Sequence, residues 1–238
     1  MLQLTSKNQT QNSFFPEAAT RFKGICSTVN KHHFHIFGCG AIGSSAAICL
    51  AKHNAKYFYL YDMDHVSNAN IGISMYRSDQ VDDLKVDALN SLIYTMGTHP
   101  HPVVTKVKGW LDNNSVIPNS TDGLKVAILA FDSMSSRRDI ADVVLNKTSF
   151  DYVIDARMGR EQIQVYTVRD FKTYEKYWYP DADASSDTCE TKGTPDVSMI
   201  SGSLIMSQVR KILNKSFYPE EICFHIPSMA LECNTMVK

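Results

Sequence analysis

Three closely spaced glycines are the first residues with an evident chemical use. Gly38, Gly40 and Gly43 follow the spacing GxGxxG and lie between the apolar runs at residues 34–37 and 46–51. A glycine-rich turn lets the backbone approach a phosphate closely, and a helix that starts there directs its unpaired N–H groups at the anion. The spacing therefore predicts a phosphate-binding turn between a strand and a helix.

An acidic residue follows this turn at a distance that is typical of nucleotide-binding folds. Asp62 lies 19 residues past Gly43, directly after the aromatic and β-rich run at residues 56–61. A carboxylate at the end of the second strand accepts hydrogen bonds from ribose hydroxyls. Glycines and carboxylate together predict a nucleotide, and at this point NAD, FAD, S-adenosylmethionine and ATP all remain open.

The elements that must position these residues alternate along the chain. Strands are predicted at residues 34–37, 56–61, 103–107, 126–131, 152–156, 163–168 and 222–226. Helices are predicted at residues 79–96, 135–146 and 198–213. Asp79 is the expected N-cap of the first of these helices, and Ser135 is expected to begin the second. Such alternation predicts an α/β fold with a doubly wound, mostly parallel, Rossmann-like sheet and a short antiparallel C-terminal extension. Residues 1–30 are predicted to be an N-terminal arm, and residues 31–238 a single domain with a flexible loop at about 180–196.

The chain beyond Asp62 resembles a known family. The sequence DMDHVSNAN at residues 62–70 is followed by Lys85, then by AFDS at residues 130–133 and by Arg137. These residues are similar to the pattern of the ThiF/MoeB/HesA family, the adenylating enzymes related to ubiquitin activators, over roughly residues 32–215. The resemblance implies that the chain uses ATP and Mg²⁺ to adenylate a carboxylate, that of the C-terminal glycine of a ubiquitin-like or sulfur-carrier protein.

The resemblance also implies roles for individual residues. Asp62 would hold the ribose, Asn70 and Lys85 would contact the phosphates, and Asp132 would lie beside the magnesium ion. Charge neutralisation at the phosphates is what such a reaction requires of its site. The complete predicted nucleotide site comprises Gly38, Gly40, Ala41, Gly43, Asp62, Asp64, Asn70, Lys85, Asp132 and Ser133.

Two departures from the family pattern bear on activity. Where the family has an arginine followed by a glutamine, this chain has Ile73 and Ser74, so a cation that bridges phosphates is missing. Arg77 is the candidate replacement, and without one the site would bind ATP yet adenylate poorly. The two zinc-binding CxxC pairs of the family are also absent from the sequence, so we expect no structural metal.

A second candidate active residue is Cys189. The segment Cys189-Glu190-Thr191-Lys192-Gly193 resembles the family segment C-x-T-x-G, whose cysteine takes the acyl group from the adenylate in relatives that handle ubiquitin-like proteins. Lys192 would favour the thiolate that such a step needs, whereas the acidic residues Asp183, Asp187 and Glu190 would oppose it. We predict that Cys189 is the acyl acceptor.

Composition excludes several other classes of protein. The 238 residues contain 24 Lys plus Arg against 25 Asp plus Glu and have no basic stripe, so nucleic acid is not an expected partner. No apolar run is long enough for a membrane span, and the first residues do not resemble a signal peptide, which predicts a cytoplasmic protein without a membrane partner. In the family, an arginine near the N-terminus reaches the partner subunit's ATP; Arg21 is the candidate, and it implies a homodimer.

Two competing functions stay open at this point. Because Ile73 replaces the family arginine, the chain is alternatively a catalytically reduced pseudoenzyme that serves as the docking subunit of a paired activator. An NAD-dependent oxidoreductase is the weaker alternative, since the residues after Asp62 continue as the adenylating family does. Arg157, at the end of a predicted strand, would either bind a substrate carboxylate or phosphate or simply pair with Asp155.

Overall fold

One eight-stranded sheet organises the protein. The structure is a computed structural model, and it describes residues 17–22, 24–26, 28–109, 122–180 and 193–235. The strands of the sheet are β1 (His33–Phe37), β2 (Tyr57–Tyr61), β3 (Val103–Val107), β4 (Lys125–Leu129), β5 (Tyr152–Gly159), β6 (Gln162–Val168), β7 (Glu221–His225) and β8 (Ala230–Asn234). They are hydrogen-bonded in the order β3-β2-β1-β4-β5-β6-β7-β8.

The strand order reverses between β1 and β4. From β1 the chain proceeds outward to β2 and β3, then returns to the other side of β1 with β4 and β5, and all of these neighbours are parallel. In open α/β sheets, ligands bind beyond the carboxyl ends of the strands at this switch point. The remaining neighbours, from β5 to β8, are antiparallel. The predicted fold class, a mostly parallel doubly wound sheet with an antiparallel extension, is confirmed.

Helices cover both faces of the sheet. On one face the core contains residues of α1 (Ala41–Lys52), α3 (Lys85–Met96) and α6 (Pro195–Leu213). On the other face it contains residues of α4 (Met134–Asp142), of the π-helical turn Val143–Lys147 and of α5 (Phe171–Tyr177). Both β1 and β4 are buried along their whole length. Accordingly, their sequences do not alternate with exposed positions, and apart from Lys125 and two buried histidines they are apolar or aromatic.

The α1 and α6 helices approach each other very closely at Gly202. A Cβ atom on this residue would lie 2.8 Å from the Cβ atom of Ser45, so no larger side chain fits there. Next to this contact the hydroxyls of Ser45 and Ser198 lie 2.7 Å apart, and Ser198 Oγ also donates to the Ala41 carbonyl at 2.9 Å. The first turns of the two helices are therefore fixed to one another.

Several predicted boundaries are wrong. The helix predicted from Asp79 begins at Lys85, because Asp79 belongs to a 3₁₀ turn, Ser78–Gln80, and Asp82 has a left-handed backbone with φ of 70°. The helix predicted from Ser135 begins at Met134 and is capped by Ser133, whose side chain accepts from the backbone N–H of Ser136.

Other elements differ in extent or were not predicted at all. The predicted helix 198–213 already starts at Pro195, the strands of the β5–β6 hairpin are longer than predicted, and α5 and β8 have no counterpart in the prediction. In the predicted arm, Cys26 and Val29 are buried in the core. Among the described helices, none is both long and apolar enough to cross a membrane.

Candidate active site

The glycine turn combines two positions that the fold itself requires with one that faces open space. Gly38 has φ of 91°, and a Cβ atom there would lie 2.7 Å from the Ala130 carbonyl oxygen. At Gly43 a Cβ atom would overlap the carbonyl oxygen of Gly38, so this residue sets how closely α1 packs on the turn. At Gly40, the N-cap of α1, no described residue lies within 4 Å of where a Cβ atom would be. Gly40 thus leaves room directly beside the helix N-terminus.

Asp62 joins this turn to the segment that follows β2. Its side chain is buried; Oδ2 accepts from the Cys39 N–H at 2.7 Å, and Oδ1 accepts from the Asp64 N–H at 2.9 Å. A carboxylate has about four acceptor positions, so Asp62 keeps capacity for further donors such as ribose hydroxyls. The predicted position of Asp62, at the carboxyl end of a strand beside the glycine turn, is what the structure shows.

Lys85 brings the acidic residues of the site together. It lies at the first position of α3, and its Nζ is 2.8 Å from Asp64 Oδ2. The Lys85 side chain is 12% exposed and that of Asp64 is 64% exposed, so the ammonium is largely shielded from solvent while the carboxylate that it contacts is not. Burial alone would lower the pKa of Lys85, but the hydrogen bond to Asp64 and the negative charges of Asp62, Asp64 and Asp132 outweigh it and raise the pKa. Lys85 is therefore fully charged at neutral pH.

Asp132 and Ser133 form the turn between β4 and α4, on the opposite side of the switch point from the glycine turn. The turn is attached to β1 by the hydrogen bond from the Ala130 N–H to the Phe37 carbonyl, at 2.8 Å. Asp132 is exposed, whereas the hydroxyl of Ser133 is used in capping, since it accepts from the Ser136 N–H at 3.2 Å. Asp132 is therefore the residue of this pair whose side chain faces solvent, where it could meet a ligand.

The residues present fit magnesium that arrives with a nucleotide better than a resident metal. Among the described residues no group of three or more His, Cys, Asp or Glu side chains is arranged to hold a metal ion. Magnesium is commonly bound by one or two carboxylates together with substrate phosphates and water. The exposed carboxylate of Asp132, near the Lys85 ammonium, suits that arrangement.

Two predicted site residues are engaged elsewhere. The side-chain oxygen of Asn70 accepts from the N–H and the hydroxyl of Ser67, at 2.9 and 3.1 Å, and caps the short helix α2, Asn68–Ile71. Arg77 forms a two-pronged ion pair with Asp79, with distances of 2.9 and 2.8 Å, and is about half exposed. The structure therefore does not show Arg77 in the place of the missing family arginine.

Tyr76 is a site-supporting residue that sequence reasoning missed. It is buried, and its hydroxyl donates to the backbone carbonyls of Cys39 and Lys85, which links the glycine turn to the start of α3. Burial raises the pKa of Tyr76 well above its usual range, so the hydroxyl remains a donor. A single tyrosine outside any motif carried no sequence signal for this contact.

A buried ion-pair cluster, consisting of Arg137, Asp155, Arg157 and Tyr174, lies under the turn that carries Asp132. Asp155 is completely buried; it accepts from Arg137 Nη1 through Oδ1, and through Oδ2 from Arg157 and from the Tyr174 hydroxyl, the latter at 3.1 Å. Of the two alternatives for Arg157, the pairing with Asp155 is the one observed. The part of Arg137 was missed, because nothing in the sequence indicated that its side chain turns inward.

Cys189 lies outside the described residues, which end before it at residue 180 and resume at residue 193. Before it, Trp178 Nε1 donates to the Met134 carbonyl at 2.7 Å, in the first turn of α4. After it, Gly193 lies close to the end of β5, since an added Cβ atom there would be 3.0 Å from Met158 Cε. Arg21, the candidate to reach a partner subunit, is exposed in the 3₁₀ turn Glu17–Phe22.

Comparison with known families gives one match, and it spans nearly the whole chain. The model described as "ThiF family" matches residues 8–232. The chain belongs to the ThiF family. The glycine turn, Asp62, Lys85 and Asp132 all lie inside the matched region. A comparison with curated protein sequences gave no match.

Solved structures with the same fold include PaaA and MccB. PaaA is 19% identical over 88% of this chain, with a TM-score of 0.68. E. coli MccB, in a structure with AMPCPP and MccA, is 14% identical over 90% of this chain, with a TM-score of 0.65. A structure of E. coli MccB with ATP is 13% identical and has a TM-score of 0.68. The alignments span 65% of the PaaA chain and 66% of the first MccB chain, so this protein corresponds to less than two thirds of their length. At these identities the likeness demonstrates a shared fold.

Proposed function

We propose that the protein binds ATP with magnesium and transfers its adenylyl group to a carboxylate. One observation carries the proposal: in a chain of the ThiF family, the open position at Gly40, the buried carboxylate of Asp62, the charged Lys85 and the exposed Asp132 converge at the switch point of the sheet. A site that activates a carboxylate must hold a triphosphate and neutralise its charge. These residues supply both functions.

Each residue has a definite part in the proposed reaction. The backbone at Gly40 and Ala41 holds phosphate at the N-terminus of α1, Asp62 accepts from the ribose, and Lys85 exchanges its contact with Asp64 for phosphate oxygens. Magnesium, held at Asp132, would neutralise the pyrophosphate. A carboxylate oxygen of the substrate attacks the α-phosphorus, the bond from this phosphorus to the oxygen that bridges to the β-phosphate breaks, and pyrophosphate leaves with the electron pair.

The acyl substrate that we propose is the C-terminal glycine of a ubiquitin-like or sulfur-carrier protein. Structures of MccB with MccA support a peptide or small protein as partner, although they concern a protein of low identity. We further propose that Cys189 attacks the acyl adenylate, so that a thioester forms and AMP leaves. The segment Cys189-Glu190-Thr191-Lys192-Gly193, which lies inside the region matched by the family and resembles its pattern C-x-T-x-G, supports this. A cytoplasmic homodimer, with Arg21 directed at the partner's ATP, belongs to the same proposal.

A docking subunit without adenylation activity is the second candidate. It is favoured by the pairing of Arg77 with Asp79 and by the neutral Ile73, which together leave the phosphates without the expected second cation among the described residues. Such a subunit would bind a carrier protein or a partner activator without turning over ATP. An NAD-dependent oxidoreductase is disfavoured by the family match.

ATP–pyrophosphate exchange distinguishes these functions. The wild type is expected to exchange labelled pyrophosphate into ATP when a carrier protein with a C-terminal glycine is supplied. Asp132→Ala is expected to lose exchange. Asp142→Ala is the matched control, because it removes a carboxylate that pairs with Lys147 at the far end of the same helix, and it should retain exchange. Equal exchange by Asp132→Ala would remove Asp132 from the mechanism, and nicotinamide dinucleotide binding instead of ATP binding would overturn the proposal.

A further inference from the structure

We propose that Arg137 is a positioning residue that holds the Asp132 turn in register with the glycine turn by way of the buried carboxylate of Asp155. This inference rests on the proposed function, since it concerns how the metal-binding carboxylate of that site is placed. Arg137 itself is 2% exposed, and its guanidinium contacts only protein groups among the described residues.

The contacts of Arg137 are concentrated where β4 ends. Its Nη1 donates to the Leu129 carbonyl at 3.3 Å, to the Ala156 carbonyl at 2.9 Å and to Asp155. Leu129 is the last residue of β4, and Arg137 belongs to the first turns of α4, so the guanidinium spans the short segment that contains Asp132. Its charge also lies over the ring of Phe131, 5.7 Å from the centroid. Both ends of the turn are thereby attached to β5.

The opposite side of the same turn touches the glycine loop. The Ala130 N–H donates to the Phe37 carbonyl, and the Ala130 carbonyl oxygen is the atom that forbids a side chain at Gly38. The turn that carries Asp132 is thus enclosed between the phosphate-binding loop and the Arg137–Asp155 contact. A shift of the turn toward β5 would increase the distance between Asp132 and the nucleotide, and a misplacement of about 1 Å costs about a hundredfold in rate.

The chemistry of the cluster indicates that it specifies geometry more than it adds stability. Arg137 and Arg157 together exceed the single charge of Asp155, and Arg137 Nε is buried with no hydrogen-bond partner among the described residues. Burial alone would raise the pKa of Asp155, but the charges of Arg157 and Arg137 outweigh it and hold the pKa below its ordinary value. Buried ion pairs of this kind are often replaceable by apolar residues without loss of stability. Its location beside the Asp132 turn therefore suits a positioning role.

The two arginines of α4 provide a matched pair for the test. Arg138 is adjacent in sequence, its side chain is 42% exposed, and it pairs with Glu175 on α5 instead of contacting β4. Arg137→Met is expected to lower the rate of ATP–pyrophosphate exchange about tenfold to a hundredfold, the usual effect of a lost outer-sphere partner. Nucleotide affinity measured without metal should stay within about threefold of the wild type, since Arg137 does not contact the nucleotide. Arg138→Met should leave both quantities unchanged.

Binding of Mn²⁺ in the presence of the analogue AMPCPP separates this proposal from the proposed function. Electron paramagnetic resonance measures this binding, and we expect Arg137→Met to weaken it about tenfold or more. Arg137→Lys, which keeps the charge but not the planar fork, should remain impaired and serves as the second variant if Arg137→Met does not fold. Two results would overturn the positioning role of Arg137. One is wild-type Mn²⁺ binding in Arg137→Lys, and the other is a loss of metal-free nucleotide affinity in Arg137→Met as large as its loss of Mn²⁺ affinity. Wild-type protein that binds Mn²⁺ and AMPCPP yet shows no exchange would overturn adenylation and leave this inference standing.

Discussion

Alanine substitutions at two glycines of the same turn should have opposite effects, because Gly40 faces open space, where we propose that phosphate binds, and Gly43 faces the protein. At Gly40 the backbone φ is −73°, and no described residue approaches within 4 Å of the added methyl group. Gly40→Ala is therefore expected to change the free energy of unfolding by no more than about 1 kcal/mol. The methyl group would instead occupy the space proposed for phosphate, and ATP affinity should fall at least about tenfold, or about 1.4 kcal/mol.

Gly43→Ala should behave in the reverse manner. The added methyl group would overlap the Gly38 carbonyl, so α1 must move away from the turn. Overpacking of this kind costs about 3 kcal/mol, which corresponds to a fall in Tm of about 6 to 12 °C for a chain of this size. Thermal unfolding of both variants with and without ATP, together with calorimetric titration of ATP, measures both quantities. Wild-type ATP affinity in Gly40→Ala would refute the phosphate-binding role of the turn, and wild-type Tm in Gly43→Ala would refute the close packing of α1.

Two further predictions concern acid stability and the proposed acyl transfer. Burial, with the nearby charges of His33 and Lys125, lowers the pKa of His35 to about 3. The unfolded chain therefore takes up a proton at this histidine near pH 6.5 while the folded protein does not, and stability should fall by about 1.4 kcal/mol per pH unit between about pH 6.5 and pH 3. Urea unfolding at pH 7 and pH 5 measures this change in the free energy of unfolding. If His35→Phe lost as much stability between these pH values as the wild type, the assignment to His35 would be contradicted. Cys189→Ala should exchange pyrophosphate normally but form no thiol-sensitive conjugate with the carrier, as judged by non-reducing electrophoresis with and without dithiothreitol. An undiminished conjugate would assign the acceptor elsewhere.

The parts of the fold that could be predicted are those whose signals are local. Continuous apolar runs identified β1 and β4, and the glycine spacing placed the turn and α1 between β1 and the following strands. Asp62 and Lys85 were found because their spacing follows the family pattern, which is itself set by the positions of strand and helix ends. These features could be predicted because the residues that form each strand or helix end are the same residues that carry the site.

The parts that could not be predicted depend on contacts between distant segments. Tyr76 reaches Cys39 across 37 positions of the chain, and Arg137 reaches Asp155 across 18, and no periodicity reports such pairings. The start of α3 was misplaced because Asp79, a good N-cap by type, pairs with Arg77 instead. Strand β8 was missed because all its residues are exposed, so it lacks the alternating pattern of a half-buried strand.

The exposed terminal strand has a practical consequence for work on thiols. Cys233 on β8 is exposed, and in the sheet order β8 stands four strand spacings from β4, or about 20 Å. A fluorophore or spin label attached there would therefore sit well away from the Asp132 turn. The same accessibility makes Cys233 a competing target for alkylating reagents, so a Cys233→Ser background would be needed before any modification is attributed to Cys189.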